Sequence, residues 1–294
     1  MAAVAVASVL ALAVMPAAGQ TPAYRAPRTA DGKPDLNGIW QAVNTAGWDL
    51  QGHAAAHGPV SSLGAVFAVP PGLNVVEGDE IPYLPAAATK RRKMGESWIR
   101  RSSVICRECL ALQSQKYIMI YYEYAGAVRD INIGAPTKAR ADSWNNLLQI
   151  MQGEGYVVLL QEIDHSTRVI PTDGRPHIPQ NIRQYQGHTV GDWDGNTLVV
   201  DATNFTALTA FRGSSEKLHL VERFTRPDEN RLLYQFTVED PTTWDKPWTA
   251  EIPMAKTHGP VYEWACHERN ADEFMTILRG ARVAQEDAAK KAGK

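Results

Sequence analysis

From Tyr117 onward the chain breaks into short apolar runs of a few residues each, separated by turn signals: "YIMIYYEY", "VRDINI", "GYVVLLQEI", "RVI", "HTVGDW", "TLVVD", "LHLVERF", "RLLYQFTVE" and "WTAEIPM". Their length, their β-branched and aromatic content and their alternation favour strands joined as hairpins over buried helices. The turns agree. Asp194-Gly195-Asn196 and Pro227-Asp228-Glu229-Asn230 supply the residues that tolerate tight reversals. Such a series must hide its edges, so the predicted fold is all-β: an antiparallel meander that closes into a lipocalin-like barrel or folds into a sandwich.

The barrel core is predicted at residues 111–270, behind an irregular Gly/Pro-rich wrapping segment at 20–110 that contains "DGKPDLNGIW" and "EGDEIPYLP". Residues 271–294 read as a C-terminal helix and tail, with Phe274, Ile277 and Leu278 on one stripe. Residues 1–19 read as a signal peptide, a short apolar run ending in Ala17 and Gly19 at the spacing of a cleavage site. The expected location is periplasmic or secreted, in a bacterium, with no membrane span after the signal is removed. A formal net charge of -2 leaves no footprint for nucleic acid, and the basic run Lys90–Lys93 is short enough to be a solvated loop. A small molecule is the expected partner; oligomeric state is open.

Three cysteines suit an oxidising compartment if two pair. Cys106 and Cys109 form a C-x-x-C with no second pair and no βαβ context. A disulfide between Cys106 and Cys266 is therefore expected ahead of a metal or redox role.

Alternation assigns faces to the strands. Leu218, Leu220 and Phe224 share a face with Glu222, a carboxylate on an apolar row, while His219, Val221 and Arg223 share the other. Leu232, Tyr234, Phe236 and Val238 form an inward row, as do Trp248, Ala250, Ile252 and Met254. Two segments echo one another: "YYEYAGAVRDI" and "LQEIDHSTRVI" each carry a Glu, five intervening residues and an Arg. A three-residue hairpin loop would set Glu123 opposite Arg129, and Glu162 opposite Arg168. Such facing charges are either staples or, if they point into a cavity, acid–base groups. Tyr121 shares the Glu123 face; Tyr156, Val158 and Leu160 share that of Glu162.

Histidine most easily supplies an acid or base near neutrality. "DGRPHIP" carries Asp173, Arg175 and His177, "QGHTVGDW" carries His188 and Asp192, and "EKLHLVERF" adds His219. No metal-ligand spacing, nucleophile elbow, Walker loop or Rossmann glycine pattern occurs, so neither metal nor cofactor is expected.

"IPTDGRPHIPQNIRQYQGHTVGDWDGNTLVVDATNF", "FRGSSEKLHLVERFTR", "YQFTVEDPTTWDKPWTAEIPM" and "YEWACHERN", with "DGKPDLNGIW" upstream, resemble a family of exported bacterial proteins abundant in soil bacteria, whose activity is largely unassigned. The resemblance spans most of residues 31–285 and departs from the family pattern at "CRECLALQSQKY". By analogy of fold, an interior of Tyr, Arg and Glu is similar to that of cofactor-free phenolic-acid decarboxylases.

The leading expectation is an exported β-barrel that binds a small hydrophobic or aromatic molecule and acts on it as a cofactor-free lyase. Glu162, Arg168, His177, His188 and Glu222 are the candidate catalytic residues. Tyr121, Glu123, Arg129, Asp173, His219 and Tyr234 are the candidate substrate contacts. The alternatives are a non-catalytic binding or structural module, and a metal-dependent hydrolase built on His177, His188 and His219.

Overall fold

A computed structural model describes residues 24–44, 49–56, 70–89, 147–162, 167–206 and 211–262, with a few helical positions near the C-terminus, among them Arg279, Val283 and Lys290. Tyr121, Glu123, Arg129, Cys106 and Cys266 lie outside the described residues, and so do the first repeat and residues 1–19. No helix among the described residues is long and apolar enough to cross a membrane.

Nine strands form one sheet: β1 (Gly38–Ala42), β2 (Leu147–Gly153), β3 (Tyr156–Gln161), β4 (Thr167–Pro171), β5 (His188–Asp194), β6 (Thr197–Thr203), β7 (His219–Asp228), β8 (Arg231–Glu239) and β9 (Trp248–Thr257). Their order is β4-β3-β2-β1-β9-β8-β7-β6-β5, and every bonded pair is antiparallel. The sheet curls into a nearly closed barrel, the first of the two expected forms. Seven of the strands match runs read from the sequence. Two differences stand out: β1 comes from the segment expected to wrap the barrel with loops and short strands and instead pairs within it, between β2 and β9, and β2, "LLQIMQG", is not one of those runs.

An odd number of strands, all paired antiparallel, leaves the first and last running the same way. β4 and β5 are therefore parallel across the closure and cannot be joined by a hairpin. Residues 172–187 run back along the gap, and β4 and β5 meet without forming a ladder. Gly191 fits β5 against β4: a Cβ there would lie 2.9 Å from the Ile170 Cγ2 and 3.1 Å from the Thr172 Cγ2.

The interior is the expected apolar row, including Trp40, Leu148, Leu159, Val200, Phe224, Phe236 and Ile252, all at most 1% exposed. Glu222 sits among them, on the face that alternation gave it, with Leu220 and Phe224. The hairpin turns at 154–155, 195–196 and 229–230 gather at one end of the barrel. "DGKPDLNGIW" closes that end. Leu36 N–H donates to Gln152 Oε1 (2.6 Å), Trp40 Nε1 donates to the Leu36 carbonyl (2.9 Å), and Arg226 Nη1 donates to the Asp35 carbonyl (2.8 Å). The Arg226 guanidinium lies 5.6 Å from the Trp40 ring, so its buried charge is met by a π face and carbonyls.

At the opposite end the return segment turns into β5 through Gly187, whose φ is +68°. A Cβ at Gly187 would lie 2.6 Å from the Thr203 carbonyl oxygen and 2.8 Å from the Phe205 ring. Gly187→Ala is expected to cost about 2 kcal/mol, since it combines a left-handed φ with overpacking against backbone. Urea denaturation would show it.

Candidate functional site

Two polar clusters lie near the end opposite the hairpin turns at 154–155, 195–196 and 229–230, one inside the wall and one outside it. The inner one is Arg168, Glu222 and Tyr234. Arg168 Nη1 is 2.7 Å from Glu222 Oε2 and Nη2 donates to Oε1 at 3.0 Å, with both side chains buried, at 4% and 0% exposure. Tyr234 O–H donates to the same Oε1 at 2.9 Å. Burial, then the neighbouring Glu222 carboxylate, pushes the Tyr234 hydroxyl well above its ordinary range, so Tyr234 stays a neutral donor. The guanidinium and the phenol give the buried carboxylate compensating polar partners.

This corrects the expected pairing of Glu162 with Arg168. The ladder sets Arg168 opposite Leu159 and Thr167 opposite Leu160, and the inward residues of β3 are Val157, Leu159 and Gln161, not Tyr156, Val158 and Leu160. The turn is longer than three residues because register follows the buried rows, in which Val157 pairs with Ile170. Glu162 lies beyond the end of β3, half-buried, and Arg168 takes its carboxylate from Glu222, 54 residues away in sequence.

The outer cluster joins histidines from three elements. His188 opens β5 and His219 opens β7, both on outward positions. His177 is carried over β6 by the return segment, which Asn204 fastens: its φ is 59°, and its Nδ2 donates to the Ile178 and Pro179 carbonyls at 3.1 Å each. His177 Nδ1 is 2.9 Å from His188 Nδ1, with the rings edge to face. His177 Nε2 is 2.9 Å from Asp201 Oδ1, and His219 Nε2 is 2.8 Å from Asp201 Oδ2. The three histidines do converge, but through a shared carboxylate and a direct ring contact. Among the described residues no group with metal-ligand geometry occurs.

Asp201 is the residue that sequence reasoning missed. It alternates outward with Thr197, Val199 and Thr203 in "TLVVDAT" and looks like an ordinary solvated position. Only the registers of β5 and β7 against β6, together with the return segment, place it between two imidazoles.

The two ends of this chain have opposite titration behaviour. His219 is raised above its ordinary 6.5, first by the hydrogen bond to Asp201, against burial, with Glu239 also contributing. Burial works to raise Asp201, but hydrogen bonds and charge from His219 and His177 hold it below its ordinary 3.8. His188 is lowered, by burial first and then by the charges of His177 and Arg175. A raised folded-state value means that the His219 contribution is complete below 6.5 and is lost as pH rises through the folded value. The Asp201 contribution is present above 3.8 and is lost as pH falls through its lower folded value. The stability difference between the native protein and His219→Gln is therefore expected to be largest between pH 3.8 and 6.5 and to shrink above it. Urea unfolding across pH measures this.

Between the two clusters, where β4 and β5 fail to bond, lies a cleft of about 540 Å³. Arg168, Val169, Arg175, Tyr156, Tyr185 and His188 line it, with threonines and glutamines of the same strands and of the return segment. Arg175 is itself neutralised: Nε donates to Asp173 Oδ1 at 2.9 Å and Nη2 to Tyr156 O–H at 2.8 Å. Those donors from Arg175 hold the Asp173 carboxyl at about 2. Asp173 thus orients Arg175 from an exposed position. Of the candidates named from sequence, Arg168 and His188 line the cleft itself. Glu222 and Tyr234 support Arg168 from inside, and His177 supports His188 from outside, with Asp201 and His219 behind it.

No family model matches the chain, and no curated protein does. Among solved structures, a mutant of the fluorescent protein UnaG resembles it at 12% identity over 46% of this chain and 89% of that one, with a TM-score of 0.26. So slight a likeness bears on neither fold nor ligand; the barrel rests on its strand ladders.

Proposed function

We propose that this protein binds a small aromatic or otherwise hydrophobic molecule in the cleft between β4 and β5. The observation that carries the reading is the cleft of about 540 Å³, which joins the exposed rings of Tyr156 and Tyr185 to Arg168, Arg175 and the His188 imidazole, which burial biases toward its neutral form. Both guanidiniums already face carboxylates, so the site does not require an anion. A neutral ligand with a weakly acidic hydroxyl, such as a phenol, suits it better than a carboxylate.

Any chemistry would be cofactor-free acid–base chemistry of the lyase type, with His188 in contact with the ligand. Glu222 is engaged by Arg168 and Tyr234, and it anchors the wall of the cleft in this reading. The protein would work outside the cytoplasm as one of the exported bacterial family its motifs resemble, a reading supported by the apolar first residues and the motifs at "DGRPH" and "GDWDGNTLVVD".

Val169 stands 56% exposed on β4 at the cleft, so Val169→Trp fills the space without touching the core. Stability should change by no more than about 0.5 kcal/mol. A thermal-shift panel of simple phenols and aromatic acids should find compounds that raise the melting temperature of the native protein and not of Val169→Trp. If no compound stabilises the native protein, or if the variant responds equally, the cleft is not the binding site.

A further inference from the structure

His188 alone would be an ordinary surface-strand imidazole whose two tautomers compete. The hydrogen bonds behind it remove that freedom. Asp201 is an ionised carboxylate and can only accept, so the ring nitrogen facing its Oδ1 at 2.9 Å, Nε2 of His177, carries a hydrogen. In neutral His177 the other nitrogen, Nδ1, is then an acceptor. It lies 2.9 Å from His188 Nδ1, which must therefore be the donor. Thr203 Oγ1, at 3.4 Å, approaches the same His177 Nδ1 and can also donate to it. With its hydrogen on Nδ1, His188 carries its lone pair on Nε2, which has no protein partner among the described residues.

We infer that Asp201, His177 and His188 form a relay that fixes His188 in the Nδ1–H tautomer and presents Nε2 as a base to the cleft. His188 is the residue that would touch the ligand; His177 and Asp201 are positioning residues. The inference rests on the cleft being the ligand site, and it gives that site a direction of proton flow.

The step balances as a double transfer. The ligand O–H bond breaks with its electron pair left on oxygen, and the proton goes to His188 Nε2. The Nδ1–H bond of His188 breaks as an Nδ1–H bond forms on His177. The products are the ligand oxyanion in the cleft, neutral His188 in the Nε2–H tautomer, and an imidazolium at His177 hydrogen-bonded to Asp201. Positive charge therefore settles one ring away from the ligand, beside a carboxylate, while the oxyanion faces Arg168 and Arg175. The surroundings of His188 make this placement favourable, because burial and the Arg175 charge both oppose a proton held on His188 itself, while the imidazolium at His177 sits against Asp201. His219 binds the other oxygen of Asp201 and holds the carboxylate in line from the far side.

Long-range nitrogen–proton NMR of the histidine side chains reads the tautomers directly, with His188 assigned through His188→Gln. In the native protein near neutral pH, His188 should show a protonated Nδ1 and a pyridine-like Nε2. His177→Phe removes the acceptor and Asp201→Leu removes what orients it; in both, His188 should return to the Nε2–H form that free histidine prefers. An Nε2–H signal in the native protein, or an Nδ1–H signal that survives in both folded variants, overturns the relay.

A second measurement separates the relay from the cleft. Para-nitrophenol, whose ionised form absorbs distinctly, should bind the native protein as phenolate below the pH at which it ionises in water, and bind His177→Phe as the neutral phenol. The native tautomer without any para-nitrophenol binding would overturn the cleft as a phenol site and leave the relay standing. Binding with the wrong tautomer would do the reverse.

Discussion

Replacing Glu222 with leucine is expected to lower the unfolding free energy of the barrel by about 3–5 kcal/mol, among the largest effects of any single substitution here. The residue is fully buried, and its removal takes the carboxylate from the buried Arg168 guanidinium and the acceptor from the Tyr234 hydroxyl. The loss measures the buried charge deprived of its carboxylate more than the worth of the pair. Accordingly, Arg168→Met combined with Glu222→Leu should recover most of that stability, because a buried ion pair replaced by apolar groups of similar volume is often neutral or better. Urea denaturation of the two single variants and the double variant forms the cycle. Equal and additive losses would mean that Arg168 and Glu222 do not depend on one another.

Trp40→Ala should cost about 3–5 kcal/mol for a different reason. Trp40 is completely buried at the closed end of the barrel, and its ring both fills the core and covers the Arg226 guanidinium. Truncation leaves a cavity and exposes a buried cation to it. Trp40→Phe keeps a π face and should lose less than half as much. If the two variants unfold at the same urea concentration, volume and π contact at this position are not what hold the end shut.

Several of these features are legible in the sequence itself. Glu222 was visible as a carboxylate in an apolar row because strand alternation is strict, and so were the inward rows of β8 and β9. Its partner was not. A hairpin loop of assumed length set Arg168 opposite Glu162, whereas the buried rows set it opposite Leu159 and turn it toward a strand 54 residues later. Turn residues mark where a chain reverses, and the hydrophobic faces decide the register. The signature "DGKPDLNGIW" was visible but its role was not, because closing a barrel end depends on Gln152 and Arg226 from distant strands.

The cleft is a consequence of topology. It exists because nine antiparallel strands leave β4 and β5 parallel and unbonded, and no local pattern counts strands. The histidines were identified individually. Their common neighbour Asp201 emerges only when β5, β6 and β7 are laid in register and residues 172–187 are folded over them.

Small molecules are expected to enter between β4 and β5 and not the interior of the barrel. Photoaffinity labelling with an aryl-azide phenol, followed by peptide mapping, tests it most directly. Saturable labelling confined to Tyr156, Arg175 and residues 167–171 and 184–189, which border the cleft, and competed by para-nitrophenol, is the expected result. Saturable labelling of the inward rows of β7, β8 and β9 instead would contradict it.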